Sequence, residues 1–465
     1  MTGVVIIGGG VSGLATAWFL SQLGVRSTLV EKSNRLGGLI KTDSFAECQL
    51  EAGPDSYLAA KTATTELARD LGDLGNEIIG SNDAERRVFI VRQGKLIALP
   101  KGIVMVAPSD WKAALSSPLF SAKTRLRFLT ETFAAPRHRS RDLSIAELVR
   151  DHFGEEVLEY VAEPLLSGVY GGDSASLSAE SVLPRFVAYE RQYGSLIRGV
   201  RNERRASQGS IFLSFRRGMQ SLTDALAQAI AASTNVLYAE ALRITAKTNG
   251  WRIRLSTHEF DADHVVLACP AYVAAGLLRT TAPPLASELA AIPYSSAVLA
   301  TLIYDRAALG HALNGFGFLV PRRERRTIAA ATWVGTKFPS RVPSHLAALR
   351  GFIVEPEATS LLTAPPQEIA QLVHRDFERF MQIRSAPLSS SIYFWPRSMP
   401  QYLVGHAQRW LRIAAAAREL QRLHLVGNAY QGVGISDCVR LAKETAKQIA
   451  GAPHSQTPPY SSPNR

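Results

Sequence analysis

Cysteine is scarce in this chain of 465 residues, and Cys48, Cys269 and Cys438 are odd in number and far apart. Such a set excludes a disulfide framework and matches no zinc spacing, so a reducing cytosol fits best. Long apolar runs are also missing: no window approaches the roughly 18 apolar residues of a membrane span. The opening MTGVVIIGGG has neither a basic n-region nor a long apolar h-region. Neither a signal peptide nor a transmembrane helix is expected, and any membrane contact would be peripheral. The ten histidines are scattered, and no Ser/His/Asp, Cys/His or metal-ligating cluster emerges. Hydrolytic and metal chemistry are thereby disfavoured, and no metal site is assigned. Acidic residues are the minority charge, 40 against 52 Lys and Arg, giving a formal net charge of +12. That surplus points to an anionic partner, whether nucleic acid, a phospholipid surface or a polycarboxylate substrate.

What is present begins at the N-terminus. Val4 to Ile7 is a β-branched run ending in GGGVSG, followed by the helical pattern LATAWFLSQLG, a stop at Gly24 and a second strand RSTLVEKS. This predicts a βαβ unit with Gly8, Gly10 and Gly13 at dinucleotide-binding spacing and Glu31 closing the second strand. Gly8 gives the tight turn, Gly10 admits a pyrophosphate to the backbone, and Gly13 lets helix and sheet pack closely. The helix N-terminus adds partial positive charge, and Glu31 is suited to accept from an adenosine ribose.

Further along, Ser144 precedes Glu147 by three residues, a capping box, and Gly154 should split that helical run. Residues 235–255 read as two strands joined by a turn at Asn249 and Gly250. DADHVVLACPAYVAAGLL reads as a strand and helix returning to the first sheet, and LHLVGNAY as one more buried strand. SDCVRLAKETAKQIAG predicts a helix stopped at Gly451, before a Pro/Ser-rich tail expected to be unstructured. PRRERR at 321–326 is either a solvated hairpin turn or a contact for acidic lipid. The apolar and basic stretch from Leu99 to Phe133 is either core or a peripheral membrane surface and substrate entrance anchored by Trp111 and Phe120. No internal repeat is found.

After Glu31, EKSNRLGGLI supplies Arg35, Gly37 and Gly38, and LEAGPDSYLAAK follows. Here the sequence resembles the flavin monoamine-oxidase superfamily, whose fingerprint continues with R-x-G-G. That family usually has another arginine after the two glycines; Leu39 in its place is a pattern associated with porphyrinogen oxidases. EAGPDSYLAAK, GKLIALPKG, EPLLSGVYGGDSASLSAESVLPRF, FRRGMQSLTDAL, WPRSMPQYLVGH and GNAYQGVGISDC then run in order along the chain. Together they resemble the oxygen-dependent protoporphyrinogen oxidase family, which includes the coproporphyrin-forming coproporphyrinogen III oxidases. Arg217 departs from the pattern, where the family often has a second glycine.

The resemblance implies an α/β fold: a Rossmann-like FAD-binding domain of the two-dinucleotide-binding type, an inserted α+β substrate domain and a helical membrane-associated portion. The expected FAD-binding segments are 1–85, 206–278 and 416–451. A substrate or membrane-associated helical segment spans 86–205, the substrate-binding domain spans 279–415, and the tail is 452–465. The resemblance implies FAD held by Gly8, Gly9, Gly10, Val11, Ser12, Gly13, Glu31, Lys32, Arg35, Gly37 and Gly38. Further cofactor contacts would be Gly53, Pro54, Asp55, Ser56, Val236, Gly427, Gly434, Ile435 and Ser436, with the last helix N-terminus aimed at the flavin N1 and C2 carbonyl. Gly168 would offer its carbonyl to substrate pyrrole N–H groups. Lys61 is either a propionate partner or a solvated surface lysine, with Arg86, Arg87, Arg185 and Arg397 as weaker candidates.

The implied reaction oxidises protoporphyrinogen IX or coproporphyrinogen III to the porphyrin in haem biosynthesis. Six electrons leave as hydride transfers to flavin N5, and molecular oxygen is reduced to hydrogen peroxide; no side chain is assigned as a catalytic base. The implied setting is cytoplasmic, or peripheral on the inner face of the cell membrane, with hand-over to ferrochelatase and no nucleic-acid partner. A flavin amine oxidase or carotenoid-type desaturase would share the N-terminal fingerprint, and a porphyrin- or haem-binding carrier would be a non-enzymatic alternative.

Overall fold

The computed structural model describes residues 3–203 and 209–451, so the expected tail at 452–465 lies outside the described residues. The β-branched run becomes strand β1 (Val4–Ile7), followed by helix α1 (Val11–Gln22) and strand β2 (Ser27–Glu31). Strands β3 (Thr234–Tyr238), β4 (His264–Leu267) and β5 (Leu423–Leu425) join them, with helix α2 (Ile435–Ile449) after β5. The sheet order is β3-β2-β1-β4-β5, parallel throughout. All five C-terminal ends therefore lie on one edge, and the order reverses direction between β1 and β4, where ligands of open α/β sheets bind.

Both faces of this sheet are covered, which is why β1 is apolar at every position instead of alternating. On one face Leu14 and Leu20 of α1 pack with Val439 and Ala442 of α2. On the other lie helices Ala271–Leu278, Pro283–Ala290 and His406–Glu419. A three-stranded antiparallel sheet, Ala241–Lys247, Gly250–Leu255 and Glu259–Ala262, shares that core. Residues 235–255 thus hold three strands, not two, because Asn235 and Val236 belong to β3. Lys247 pairs with Gly250, so Thr248 and Asn249 occupy the turn and Gly250 opens the next strand.

A second, seven-stranded sheet runs Ser389–Pro400, Tyr294–Asp305, Leu346–Ile353, Ala330–Trp333, Gly317–Leu319, Val88–Arg92, Lys95–Ala98. Its last two strands come from the expected 86–205 segment, which therefore begins in this sheet before turning helical. Ser144 and Glu147 form the capping box of helix Ile145–Phe153, and Gly154 ends it at φ 85°. The helices of this segment share one core with Phe120, Phe128 and Phe153.

That core also buries charge. His152 Nδ1 lies 2.8 Å from Glu131 Oε1 and its Nε2 lies 3.2 Å from Glu190 Oε1. Glu131 also accepts from Ser195 Oγ at 2.7 Å and Leu196 N at 2.7 Å, capping helix Leu196–Asn202. Arg139 completes the group at 2.6 Å from Glu190. Carboxylates at both ring nitrogens require two N–H donors, so the imidazole is cationic.

One expectation is corrected here. Phe120 is 2% exposed and packs edge-on against Phe128 at 5.1 Å, so it is core and not a membrane anchor. In the Leu99 to Phe133 stretch the exposed large apolar side chains include Phe133 at 87%, Leu126 at 62%, Val104, Leu129 and Trp111. The PRRERR turn is ion-paired, with Arg322 on Asp173, Arg323 on Glu159 and a buried Arg325 on Glu163. The segment joins strands Gly317–Leu319 and Ala330–Trp333 as the expected hairpin turn, with Arg322 and Arg323 exposed and facing acidic residues of the helical segment. No helix among the described residues is long and apolar enough to cross a membrane.

Candidate active site

At the C-terminal end of β1, Gly8 turns at φ 114° and its N–H donates to Val30 O at 2.8 Å. A Cβ on Gly13 would sit 1.9 Å from Gly8 O, so only glycine lets α1 start this close to the strand. Gly10 differs: a Cβ there would meet only Gly38 Cα, at 3.9 Å. Protein packing does not demand its glycine; open space beside the backbone does. α1 begins with no side-chain cap and no acidic residue in its first turn, leaving the N–H groups of Val11 and buried Ser12 to an outside acceptor.

Glu31 accepts from Gly9 N at 2.7 Å through Oε2 and from Ser33 N at 2.8 Å through Oε1. A carboxylate has about four lone-pair positions, so capacity for a ribose hydroxyl remains. Gly37 N donates to Gly9 O at 2.8 Å and Gly37 pairs with Gly10, so the two glycine loops face each other. Arg35 donates to the carbonyls of Leu36, Gly38 and Ile40, folding that second loop around itself, while Lys32 is exposed. Val236 stands on β3, the strand at the sheet edge, in register with Leu29.

The loop carrying Gly53, Pro54, Asp55 and Ser56 lies against the same region, since a Cβ on Gly53 would meet Leu39 O at 1.9 Å. Three cations from the second sheet region hold it. Lys337 Nζ is 2.9 Å from both Asp55 oxygens, Arg350 donates to Gly53 O, and Arg341 Nη1 is 2.9 Å from Glu51 Oε1. Burial opposes the ionisation of Asp55, yet Lys337 and Arg350 hold its carboxyl well below the usual range. Burial pushes Glu51 up, with Arg341 and the Met219 N–H pulling the other way.

The last segment closes the edge. Gly427 turns at φ 138° after β5, and α2 starts from Gly434, whose N–H donates to Asp437 Oδ2 at 3.2 Å. Lys61 Nζ reaches Asp437 at 2.6 and 2.8 Å, and Ser436 Oγ donates to Lys61 O at 2.9 Å. Lys61 is therefore an ion-paired strap across the start of α2 and not a free surface lysine. The Gly434 N–H is taken by the protein's own carboxylate, so Ile435 and Ser436 supply what remains of the helix-end donors.

Among the other residues singled out, Gly168 lies in the last turn of helix Glu163–Tyr170, near Ala330 and Leu319 of the second sheet. Arg86 is exposed, Arg87 pairs with Glu85 and Arg185 with Glu203. Arg397 lies 3.9 Å over the Tyr272 ring. Arg217, the departure from the family pattern, pairs with Glu77 at the surface.

A dinucleotide fits this edge: an open glycine turn, an uncapped helix N-terminus and a carboxylate at the end of β2 present the donors and acceptor it needs. Residues 11–450 match the family described as flavin containing amine oxidoreductase. The chain belongs to that family. Its cofactor is FAD, and it is an FAD-dependent oxidoreductase. It is 30% identical over 457 residues to a coproporphyrinogen III oxidase of Bacillus subtilis (strain 168), covering 95% of this chain and 96% of that one. It is 27% identical to the chloroplastic protoporphyrinogen oxidase of Nicotiana tabacum, covering 96% and 85%. A crystal structure of a candidate protoporphyrinogen oxidase from Exiguobacterium sp. 255-15 superposes with a TM-score of 0.86 at 30% identity, covering 97% and 98%.

In this FAD-dependent oxidoreductase, several residues that assemble the site carried no individual signal. Gln401 Nε2 donates to Tyr170 O at 2.8 Å and Ser295 Oγ at 2.9 Å, joining the SGVYGGD and PQYLVGH stretches. Tyr402 OH donates to Asn428 O at 2.8 Å and accepts from Gly432 N at 2.9 Å, fixing the loop before α2. Arg350 was detectable in principle, because a lone charge inside the apolar strand LAALRGFI marks a buried ion pair.

Proposed function

We propose that this flavoprotein oxidises a porphyrinogen, protoporphyrinogen IX or coproporphyrinogen III, to the porphyrin in haem biosynthesis. The observation that carries the reading is the 30% identity across 95% of the chain to a protein named coproporphyrinogen III oxidase. FAD, when bound, supplies two-electron acceptance and reoxidation by oxygen, so three turnovers remove six electrons and yield hydrogen peroxide. The protein's part is to bind, orient and exclude water. Gly8 to Gly13, Glu31, Arg35, Gly37, Gly38, Val236 and the Gly53 to Ser56 loop would hold the cofactor, with Gly427, Gly434, Ile435 and Ser436 at its far end.

Gly168 would present its carbonyl to the pyrrole N–H groups. It belongs to a last helical turn, whose carbonyls have no intrahelical partner. Its neighbours are taken, Ser167 O by Gly171 N and Tyr170 O by Gln401. Phe133, Leu126 and Leu129, flanked by Lys123 and Arg127, would form a peripheral membrane contact and a route for hand-over of product to ferrochelatase. The FAD domain would comprise 1–85, 206–278 and 416–451.

The test is direct. Purified protein should be yellow, and added coproporphyrinogen or protoporphyrinogen in air should gain porphyrin fluorescence faster than an enzyme-free control. Bound flavin without faster porphyrin formation from either substrate would overturn the reading.

A further inference from the structure

The loop at residues 51–56 is held by more positive charge than it can neutralise. Lys337, Arg341 and Arg350 face two carboxylates, Glu51 and Asp55. Arg341, Arg350 and Glu51 side chains are 1%, 3% and 2% exposed. The nearby Asp43 is already paired with Lys41 at 2.9 Å. The Nε atoms of Arg341 and Arg350 are buried with no hydrogen-bond partner among the described residues. One uncompensated cation in a network this poorly hydrated is costly unless something else brings negative charge to the same place.

The geometry says where that is. Gly53 packs on Leu39, beside Gly38 and Gly10 at the open turn, and Arg350 grips the Gly53 carbonyl directly. We propose that Lys337 and Arg350 are positioning residues of the flavin site, fixing the Gly53 to Ser56 loop and supplying a net positive charge that favours the reduced, more negative cofactor. This rests on the assignment of that loop to the cofactor. The sign follows from Coulomb's law in a poorly screened interior, where the potential of one charge reaches groups it does not touch.

Charge arithmetic separates this from mere scaffolding. The flavin midpoint potential, measured by dye-linked reduction of holoprotein, should fall in Lys337→Met, where the network is neutral. It should rise in Asp55→Asn, where the network carries two surplus charges. The double variant Asp55→Asn with Lys337→Met restores one surplus charge and should return the potential toward the parent value, and Arg350→Lys should keep it near the parent. Potentials that stay put in both single variants, or that move in the same direction in both, would overturn the inference. If a single variant fails to retain flavin, the charge-matched double variant must still hold it at the parent potential, and a shifted double variant refutes the charge account. Because the readout needs no substrate, a failed porphyrinogen assay with shifted potentials would sink the substrate reading alone.

Discussion

The helical segment around His152 and the loop at residues 51–56 both bury carboxylates against cations, and their charge sums differ. Around His152, the buried Glu131 and Glu190 face Arg139 and the imidazole, and these four groups balance only while the ring carries two protons; Arg139 also reaches the more exposed Asp151 at 2.8 Å. At the loop, Lys337, Arg341 and Arg350 face Glu51 and Asp55, three cations against two carboxylates. The first network is closed on itself and tuned by pH. The second is open, and its balance waits on a ligand.

The largest expected effect is at Glu131. Glu131→Ala strips the His152 cation of one acceptor and uncaps helix Leu196–Asn202, and should cost about 3–5 kcal/mol in urea unfolding. Arg341→Met leaves Glu51 buried with only the Met219 N–H and Thr42 hydroxyl, and should cost about 3 kcal/mol by the same measurement. A loss at Arg341 equal to or larger than that at Glu131 would reverse the ranking.

The pH profile sharpens the contrast. Burial alone would lower the His152 pKa, but Glu131 and Glu190 raise it above the ordinary histidine value. Its contribution is therefore complete below about pH 6.5 and is lost as pH rises through the raised value. Glu190 is opposed by burial but held down to about 2 by His152 and Arg139, so its share is lost only as pH falls through that value. The thermal midpoint should decline above neutrality, and His152→Gln should remove that decline; an unchanged slope would refute a cationic His152. The smallest effect is at the surface: Arg217→Ala removes an exposed pair with Glu77 and should leave the unfolding midpoint unchanged within error.

Local features of the fold were legible in the sequence, as was the return of His264–Leu267 to the first sheet, whereas side-chain pairings between distant segments were not. The Ser144 and Glu147 capping box and the Gly154 stop depend on neighbours within a few residues, the βαβ unit on one short stretch of chain, and each formed as expected. Phe120 and Phe133 look alike in a one-dimensional pattern, because periodicity gives a stripe and not the partner that covers it. Nothing local decides Lys61 between ligand and solvent, because Asp437 is far away in sequence and adjacent only once α2 packs. The loop network was invisible for the same reason: Glu51 ends strand Cys48–Glu51, Arg341 lies in the distant helical turn Pro339–Arg341, and nothing local in either stretch announces the other. Gly10 stands apart, since the open space beside it is of a kind that a glycine spacing alone can suggest.

The chain order of the parallel sheet also sets a timetable. β1 and β2 are complete by Glu31, but β5 and α2, which finish the same edge, begin only at Leu423 and Ile435. At the usual pace of translation, roughly 5–20 residues per second, the first βαβ unit waits about 20 to 80 seconds for its last strand. The first βαβ unit therefore lacks part of its sheet for nearly the whole synthesis, and the edge is complete only when the final strand docks beside β4.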